Sequence, residues 1–164
     1  MFKIGLGQDS HKIVNSTNKT YKPLKLGGVV IDEYIEVIAN SDGDMIIHSL
    51  CNALNTAIGG GSFDEYAGPL CKKGITDSKE YLLIALSKIK NNKYEINNIS
   101  ISLEAGQPTL ESHCNAIKKS LADMLILDVS QIGISITSGN GLTLYSEGKG
   151  ICCRCIVSLI QNTK

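Results

Sequence analysis

This chain has little arginine and no net charge. Arg154 is the single arginine among 164 residues, and 16 basic side chains are balanced by 16 acidic ones. The absence of a basic excess argues against a protein that binds nucleic acid as a polymer. Because the arginine fork for phosphate is nearly unavailable, a small anionic ligand must be held mainly by lysines, backbone N–H groups or a metal ion.

Long apolar segments are also missing. No run approaches the roughly 20 residues that a membrane helix needs, and residues 1–5 do not resemble a secretory signal. Six cysteines without such a signal favour free thiols in a reducing compartment. We therefore expect a cytoplasmic protein without a membrane partner, or one from a plastid-type organelle if a transit peptide has been removed. The length and the 43% hydrophobic content predict a single domain spanning residues 1–164.

Helical and strand-like patterns alternate along the chain. Apolar residues recur at helical spacing in three segments, which are 44–58, 78–90 and 111–127. Ser41 and Asp42 stand where the first of these helices would be capped. Alternating or β-rich sequence predicts a hairpin before the first helix and four further strands, which are 2–6, 96–103, 132–137 and 150–160. This order predicts an α/β (α+β) fold, with a sheet covered by helices on one face.

Two histidines lie at short spacing from aspartates. Side chains two residues apart on a strand point the same way, so Asp9 and His11 can aim at one point. His48 lies one helical turn after Asp44, which could orient its ring as a carboxylate behind a metal ligand. Asp9, His11 and His48 form a His₂-carboxylate set typical of catalytic zinc, although other divalent metals use the same ligands. Since Asp-x-His is common, the spacing alone leaves open that these are unrelated polar residues.

Five short motifs occur together in a characteristic order. They are Ile4-Gly5-x-Gly7-x-Asp9-x-His11, Leu26-Gly27-Gly28-Val29, Ser41-Asp42-Gly43-Asp44 followed by His48, Lys73-Gly74 followed by Asp77-Ser78, and Gly148-x-Gly150-Ile151. On these motifs the chain resembles the 2-C-methyl-D-erythritol 2,4-cyclodiphosphate synthase family over nearly its whole length. The resemblance strongly favours the metal-site interpretation.

The resemblance implies a fold, an assembly and a reaction. Family members are homotrimers whose four-stranded sheets face the trimer axis, with helices outside and active sites between subunits. They are lyases of non-mevalonate isoprenoid biosynthesis that close a cyclic diphosphate on a cytidine diphosphate ester and expel CMP. Zinc and a second ion, magnesium or manganese, hold the phosphates. Positioning and charge neutralisation are the expected sources of catalysis.

The resemblance also implies roles for particular residues. Asp9, His11 and His48 match the zinc ligands. Asn40 and Ser138 match positions credited with stabilising the transition state. The positions that correspond to substrate contacts are Ser41, Ser62, Asp64, Thr137, Gly139 and Asn140.

The chain departs from the family pattern at the nucleotide and second-metal end. Asn40 replaces a histidine, Asn140 replaces the glutamate expected to bind the second ion, and Glu147 replaces an arginine. A neutral amide binds a hard cation less strongly than a carboxylate does, which weakens the expectation of a second metal. The lost positive charge could come from lysines, of which the candidates are Lys72, Lys73 and Lys149. The alternatives to a synthase are a related metal-dependent enzyme for another phosphorylated metabolite and a trimeric zinc-binding protein without catalysis.

Overall fold

The computed structural model describes residues 1–162, which form one six-stranded sheet packed against helices. The strands are β1 Phe2–Asn15, β2 Pro23–Leu26, β3 Val29–Ile38, β4 Tyr94–Glu104, β5 Ile132–Thr137 and β6 Gly150–Gln161. The helices are α1 Met45–Ala57, α2 Asp64–Lys72, α3 Ser78–Asn91 and α4 Cys114–Leu125. Single 3₁₀ turns lie at Glu111–His113, Val129–Gln131 and Gly139–Gly141. The predicted mixed fold is therefore confirmed. No helix within the described range is long and apolar enough to cross a membrane.

The strands follow the order β2-β3-β1-β6-β4-β5 across the sheet. Neighbours run antiparallel except β4 and β5, which are parallel and are connected through α4. A parallel pair requires such a crossover, because the chain must return to the end of the sheet at which the first strand began before the second strand can start. The crossover helix packs on the same face as α1, so this face holds the core.

The expectation of a four-stranded sheet is wrong, because the β2–β3 hairpin joins the same sheet through β1. β1 is also longer than predicted. Its polar second half, from Gln8 to Asn15, shows no alternation of apolar residues, yet the backbone pairing with β6 continues to Lys12 opposite Gly150. Ladder hydrogen bonds depend on the backbone and not on side-chain polarity, so this extension left no hydrophobic signal.

The predicted helices are present with shifted ends, and one helix was missed. α1 begins after Asp44, which caps it in place of Ser41 or Asp42. α4 ends where Ile126 adopts a left-handed conformation with φ of 55°. The unpredicted α2 contains Pro69 and is preceded by no side-chain cap. Proline is unfavourable inside helices, which explains why the pattern did not indicate one.

Two glycines let α1 lie directly on β1. A β-carbon on Gly5 would come within 1.9 Å of the Ala53 carbonyl oxygen, and one on Gly7 within 2.0 Å of the Ser49 oxygen. Any side chain at either position would push the helix away from the sheet. The close approach places the first turn of α1 beside the middle of β1.

The cysteines are free thiols, as predicted. All six are free, and four of them are fully buried. Burial raises the pKa of the Cys51 and Cys155 thiols to about 12, so both remain protonated and unreactive.

Candidate active site

Asp9, His11 and His48 converge between β1 and the first turn of α1. The two-residue strand period turns Asp9 and His11 toward the helix, as predicted, and His48 enters from the opposite side. Asp9 Oδ2 lies 3.1 Å from His11 Nε2 and 2.9 Å from His48 Nδ1. One potential ligand atom from each residue falls within 4.8 Å of the others. The structure thus brings all three predicted metal ligands together.

The chemistry of these atoms fits a divalent cation. His11 Nε2 is buried, and no partner in the described part of the chain is aligned for a hydrogen bond with it. Its contact with Asp9 Oδ2 at 3.1 Å is an ion pair without hydrogen-bond alignment, a geometry that suits two atoms binding the same cation. Two imidazoles and one carboxylate are the donors that zinc accepts, and cobalt, nickel and similar ions use them as well.

The charges of the cluster are mutually dependent. Burial raises the pKa of Asp9, but the two nearby imidazoles outweigh burial and bring this pKa well below its ordinary value. The Asp9 carboxylate in turn raises the pKa of His11. The site therefore attracts positive charge, and a metal ion must compete with the proton on His11.

The second ring nitrogen of His48 is held by hydroxyl groups. Its Nε2 atom lies 2.8 Å from Ser78 Oγ and 3.3 Å from Ser41 Oγ. The Phe63 ring packs against the imidazole with 4.8 Å between ring centroids. With only 5% of its side chain exposed, His48 is fixed in one orientation by contacts from three segments.

The prediction that Asp44 orients His48 is wrong. The Asp44 carboxylate accepts hydrogen bonds from three backbone N–H groups, those of Gly27 at 2.8 Å, Gly28 at 2.7 Å and Ile47 at 3.1 Å. A carboxylate at a helix N-terminus is stabilised by these otherwise unpaired donors, which competed successfully with the imidazole. Asp44 therefore ties the β2–β3 turn to α1 and acts on the site only by placing the helix.

A cavity of about 640 Å³ opens over the cluster. The predicted residues in its wall are Asp9, His11, Asn40, Ser41, His48 and Asp64. Lys72 contributes a cation from the last turn of α2, whereas Lys73 and Lys149 are not part of the wall. Of the three lysines considered as replacements for lost positive charge, only Lys72 shares the cavity with the metal cluster.

The remaining predicted residues lie elsewhere. Ser62 is exposed beside the cavity, where its hydroxyl donates to Asp64 at 3.3 Å. Thr137, Ser138 and Asn140 are exposed at the end of β5, outside the wall of this cavity. Gly139 is left-handed there, with φ of 72°, and its N–H donates to Thr137 Oγ1. Within one chain, the predicted site is divided between these two places.

The sequence patterns gave no role in the site to several residues that line or support the cavity. They are Lys25, Asp42, Asn52, Phe63, Cys71, Ser78 and Tyr81. Asp42 and Ser78 belonged to recognised motifs, yet their partners are far away in sequence. No local pattern identifies such a contact.

Comparisons with known proteins assign the chain a family. The model of the YgbB family matches residues 2–160. A 2-C-methyl-D-erythritol 2,4-cyclodiphosphate synthase from Chlamydia trachomatis serovar A is 33% identical over 162 residues, which cover 98% of this chain and 89% of the relative. The enzyme of that name from Chlamydia abortus is 34% identical, covering 98% and 90%.

Solved structures share the fold over nearly the whole chain. The structure of IspF from Plasmodium falciparum in a CDP complex has a TM-score of 0.86 and 30% identity, covering 99% of this chain and 97% of that chain. The bifunctional IspDF from Campylobacter jejuni has a TM-score of 0.87 and 29% identity, covering 98% of this chain and 42% of that chain.

Proposed function

The chain belongs to the YgbB family, and from this membership we propose that it converts 4-diphosphocytidyl-2-C-methyl-D-erythritol 2-phosphate to 2-C-methyl-D-erythritol 2,4-cyclodiphosphate and CMP. This reaction belongs to non-mevalonate isoprenoid biosynthesis. The observation that carries the proposal is the Asp9, His11 and His48 cluster in a cavity wall, within a chain that matches the family over residues 2–160.

The reaction is an intramolecular phosphoryl transfer. An oxygen of the 2-phosphate attacks the β-phosphorus, and the new P–O bond closes the ring while the P–O bond to CMP breaks. CMP leaves with the electron pair of that bond. Little covalent chemistry is required of the protein, which accelerates the step by holding both phosphates in line and offsetting their charge.

The residues of the cavity supply these two effects. Asp9, His11 and His48 would hold a zinc ion with one position left for a phosphate oxygen. When bound, this ion supplies positive charge to the reacting phosphates. Asn40 and Ser41 offer an amide and a hydroxyl as hydrogen-bond donors, and Lys72 offers an ammonium group, all from the same cavity wall.

A second divalent ion, magnesium or manganese, is expected to bind less tightly than the zinc. Asn140 occupies the position expected to bind it, with its side-chain oxygen 3.4 Å from the Ser138 hydroxyl. Amide oxygens do bind magnesium and calcium, though without the charge of a carboxylate. We therefore expect a second ion to bind only together with the diphosphate, whose oxygens would supply the missing negative charge.

We also propose that three copies assemble with their sheets toward a common axis. The sheet face opposite the helices carries exposed apolar side chains, with Phe2 74%, Ile4 71%, Leu6 59% and Ile156 48% exposed. Covering this face with further copies would remove that surface from water. In such an assembly the exposed 137–140 segment of one copy would complete the cavity of its neighbour. Sedimentation velocity tests the assembly, and a monomer at micromolar concentration contradicts it.

CMP release is the direct test of the activity. Purified protein with zinc and magnesium, given the cytidine diphosphate ester, is expected to release CMP in an amount equal to the cyclic product. A protein with His48 replaced by alanine is the control for contaminating activity. No CMP at high concentrations of trimeric, metal-loaded protein would contradict the proposal.

The residues at the nucleotide end depart from the family pattern, so nucleotide selectivity tests whether the chain acts on a different phosphorylated metabolite. Calorimetric titration with CDP, UDP and ADP is expected to show selectivity for CDP. Equal binding of the three would favour a related enzyme for another phosphorylated metabolite, and failure to turn over any phosphate ester would favour a zinc-binding protein.

The curated relatives are bacterial proteins, which supports a cytoplasmic location over an organelle.

A further inference from the structure

We infer that Ser78, held by Asp42, is a positioning residue that makes His48 present its Nδ1 atom to the metal site. The inference rests on the proposed metal binding by Asp9, His11 and His48, and it concerns residues behind the ligands. The carboxylate that was expected to perform this task, Asp44, faces backbone N–H groups instead.

The direction of the hydrogen bonds follows from the contacts of Ser78. Its hydroxyl donates to Asp42 Oδ1, and its backbone N–H donates to Asp42 Oδ2 at 3.2 Å. An ionised carboxylate accepts and cannot donate, so the hydroxyl proton is directed to Asp42. The Ser78 oxygen therefore presents lone pairs to His48 Nε2, 2.8 Å away. A neutral His48 therefore carries its proton on Nε2, which leaves Nδ1 available as a metal ligand.

The other end of the ring then requires a cation. His48 Nδ1 lies 2.9 Å from Asp9 Oδ2. A deprotonated ring nitrogen and a carboxylate oxygen are both acceptors, and two acceptors at this distance repel each other unless a positive charge joins them. A metal ion satisfies both atoms, as well as His11 Nε2, which lies 3.1 Å from the same Asp9 oxygen. Ser78 and Asp42 thus direct the Nδ1 atom of the neutral imidazole to the metal site.

Contacts from neighbouring residues hold the Asp42 carboxylate in position and keep it ionised. Lys25 on β2 forms an ion pair with its carboxylate, which keeps Asp42 ionised. The Asp42 N–H donates to the Thr76 carbonyl at 2.9 Å, and the Asp44 N–H donates to Asp42 Oδ1 at 3.3 Å. Ser78 is completely buried at the first residue of α3. These contacts link β2, the turn before α1 and the start of α3 behind a single imidazole.

Ser41 is a second, weaker acceptor for the same nitrogen. Its hydroxyl oxygen is 3.3 Å from His48 Nε2 and also accepts the Gly43 N–H at 3.3 Å. Both distances are long for these pairs. Removal of the Ser78 hydroxyl should therefore loosen His48 without releasing it completely.

The test compares metal affinity in two serine variants. Ser78→Ala removes the hydroxyl behind His48. Ser49→Ala is the matched control, because Ser49 is equally buried but its hydroxyl donates to the Ile46 carbonyl and not to His48. Zinc affinity is measured by competition with a chelating dye. We expect Ser78→Ala to bind zinc about 10–100-fold more weakly than the wild type, the usual effect of losing a partner behind a metal ligand. Ser49→Ala is expected to retain wild-type affinity.

Two results would overturn the inference. One is an unchanged zinc affinity in a folded Ser78→Ala protein, whatever its free energy of unfolding. The other needs no variant: ¹⁵N NMR of the zinc-loaded wild type must place the His48 proton on Nε2, and a proton on Nδ1 contradicts the assignment. Neither measurement uses the substrate. A protein that shows both effects but releases no CMP refutes the proposed reaction alone, whereas CMP release with unchanged affinity in Ser78→Ala refutes this inference alone.

Discussion

Replacement of Gly7 by alanine should damage the metal site without touching a metal ligand. The β-carbon of an alanine there would lie 2.0 Å from the Ser49 carbonyl oxygen, and ordinary contact begins at 3.4 Å, so α1 must withdraw by about 1.4 Å (3.4 − 2.0). Ser49 follows His48 in the same helical turn, so the withdrawal carries His48 away from Asp9. Metal–ligand distances tolerate only about 0.2 Å. A displacement of this size therefore cannot be absorbed while all three ligands remain in place.

The expected magnitudes follow from that displacement. Insertion of a methyl group into a packed core costs about 1–3 kcal/mol, and the obstacle here is backbone, so we expect the upper end of the range. Urea unfolding of the metal-free protein measures this cost, and competition with a chelating dye measures the fall in zinc affinity. Gly68→Ala is the control, because a β-carbon there meets no atom within 4 Å and alanine favours the helix. Wild-type stability and zinc affinity in Gly7→Ala would refute the reasoning.

Three further outcomes are expected. His48→Ala should reduce bound zinc per chain to background by elemental analysis, and retention of zinc would refute the ligand assignment. The Asp9 carboxylate raises the pKa of His11 above its ordinary value of 6.5. The charged pair therefore stabilises the metal-free protein fully below pH 6.5, and this contribution is lost as pH rises through the higher pKa of the folded state. His11→Ala should abolish that pH dependence of the free energy of unfolding. Lys72→Gln should lower kcat/KM about tenfold, since Lys72 is exposed and a hydrogen bond to a charged group contributes roughly 1.5 kcal/mol at the low end of its range. Lys73→Gln, outside the cavity wall, should not change kcat/KM, and equal effects of the two would show that only net charge matters.

The convergence of Asp9 and His11 could be predicted because its geometry is local, whereas the addition of His48 to the ligand set depended on the family resemblance. Asp9 and His11 are two residues apart on an extended strand, and the period of two decides that both face the same side. The helix that carries His48 was visible in the sequence from its apolar stripe. What remained outside the prediction was the distance between strand and helix, which depends on Gly5 and Gly7 packing against α1.

The partner of His48 was predicted wrongly because local spacing favoured the nearer carboxylate. Asp44 lies one turn before His48, but its oxygens are taken by N–H groups of the β2–β3 turn and of α1. Ser78 is 30 residues away in sequence and reaches His48 only because α3 packs beside α1. Helix α2 was missed for a different reason. Its Pro69 opposes helix formation locally, and tertiary packing overrides that preference.

The single arginine illustrates which features follow from the composition and which depend on the tertiary structure. The composition alone established that arginine cannot hold the phosphates at several points, and that lysine, backbone and metal must do so. The tertiary structure places Arg154 on the open sheet face, where its Nε donates to Gln8 at 3.1 Å. It also brings Lys72, and neither Lys73 nor Lys149, into the cavity of the metal ligands. Residue types and short spacings are properties of the chain, whereas the choice of partner among distant side chains depends on how helices and sheet pack.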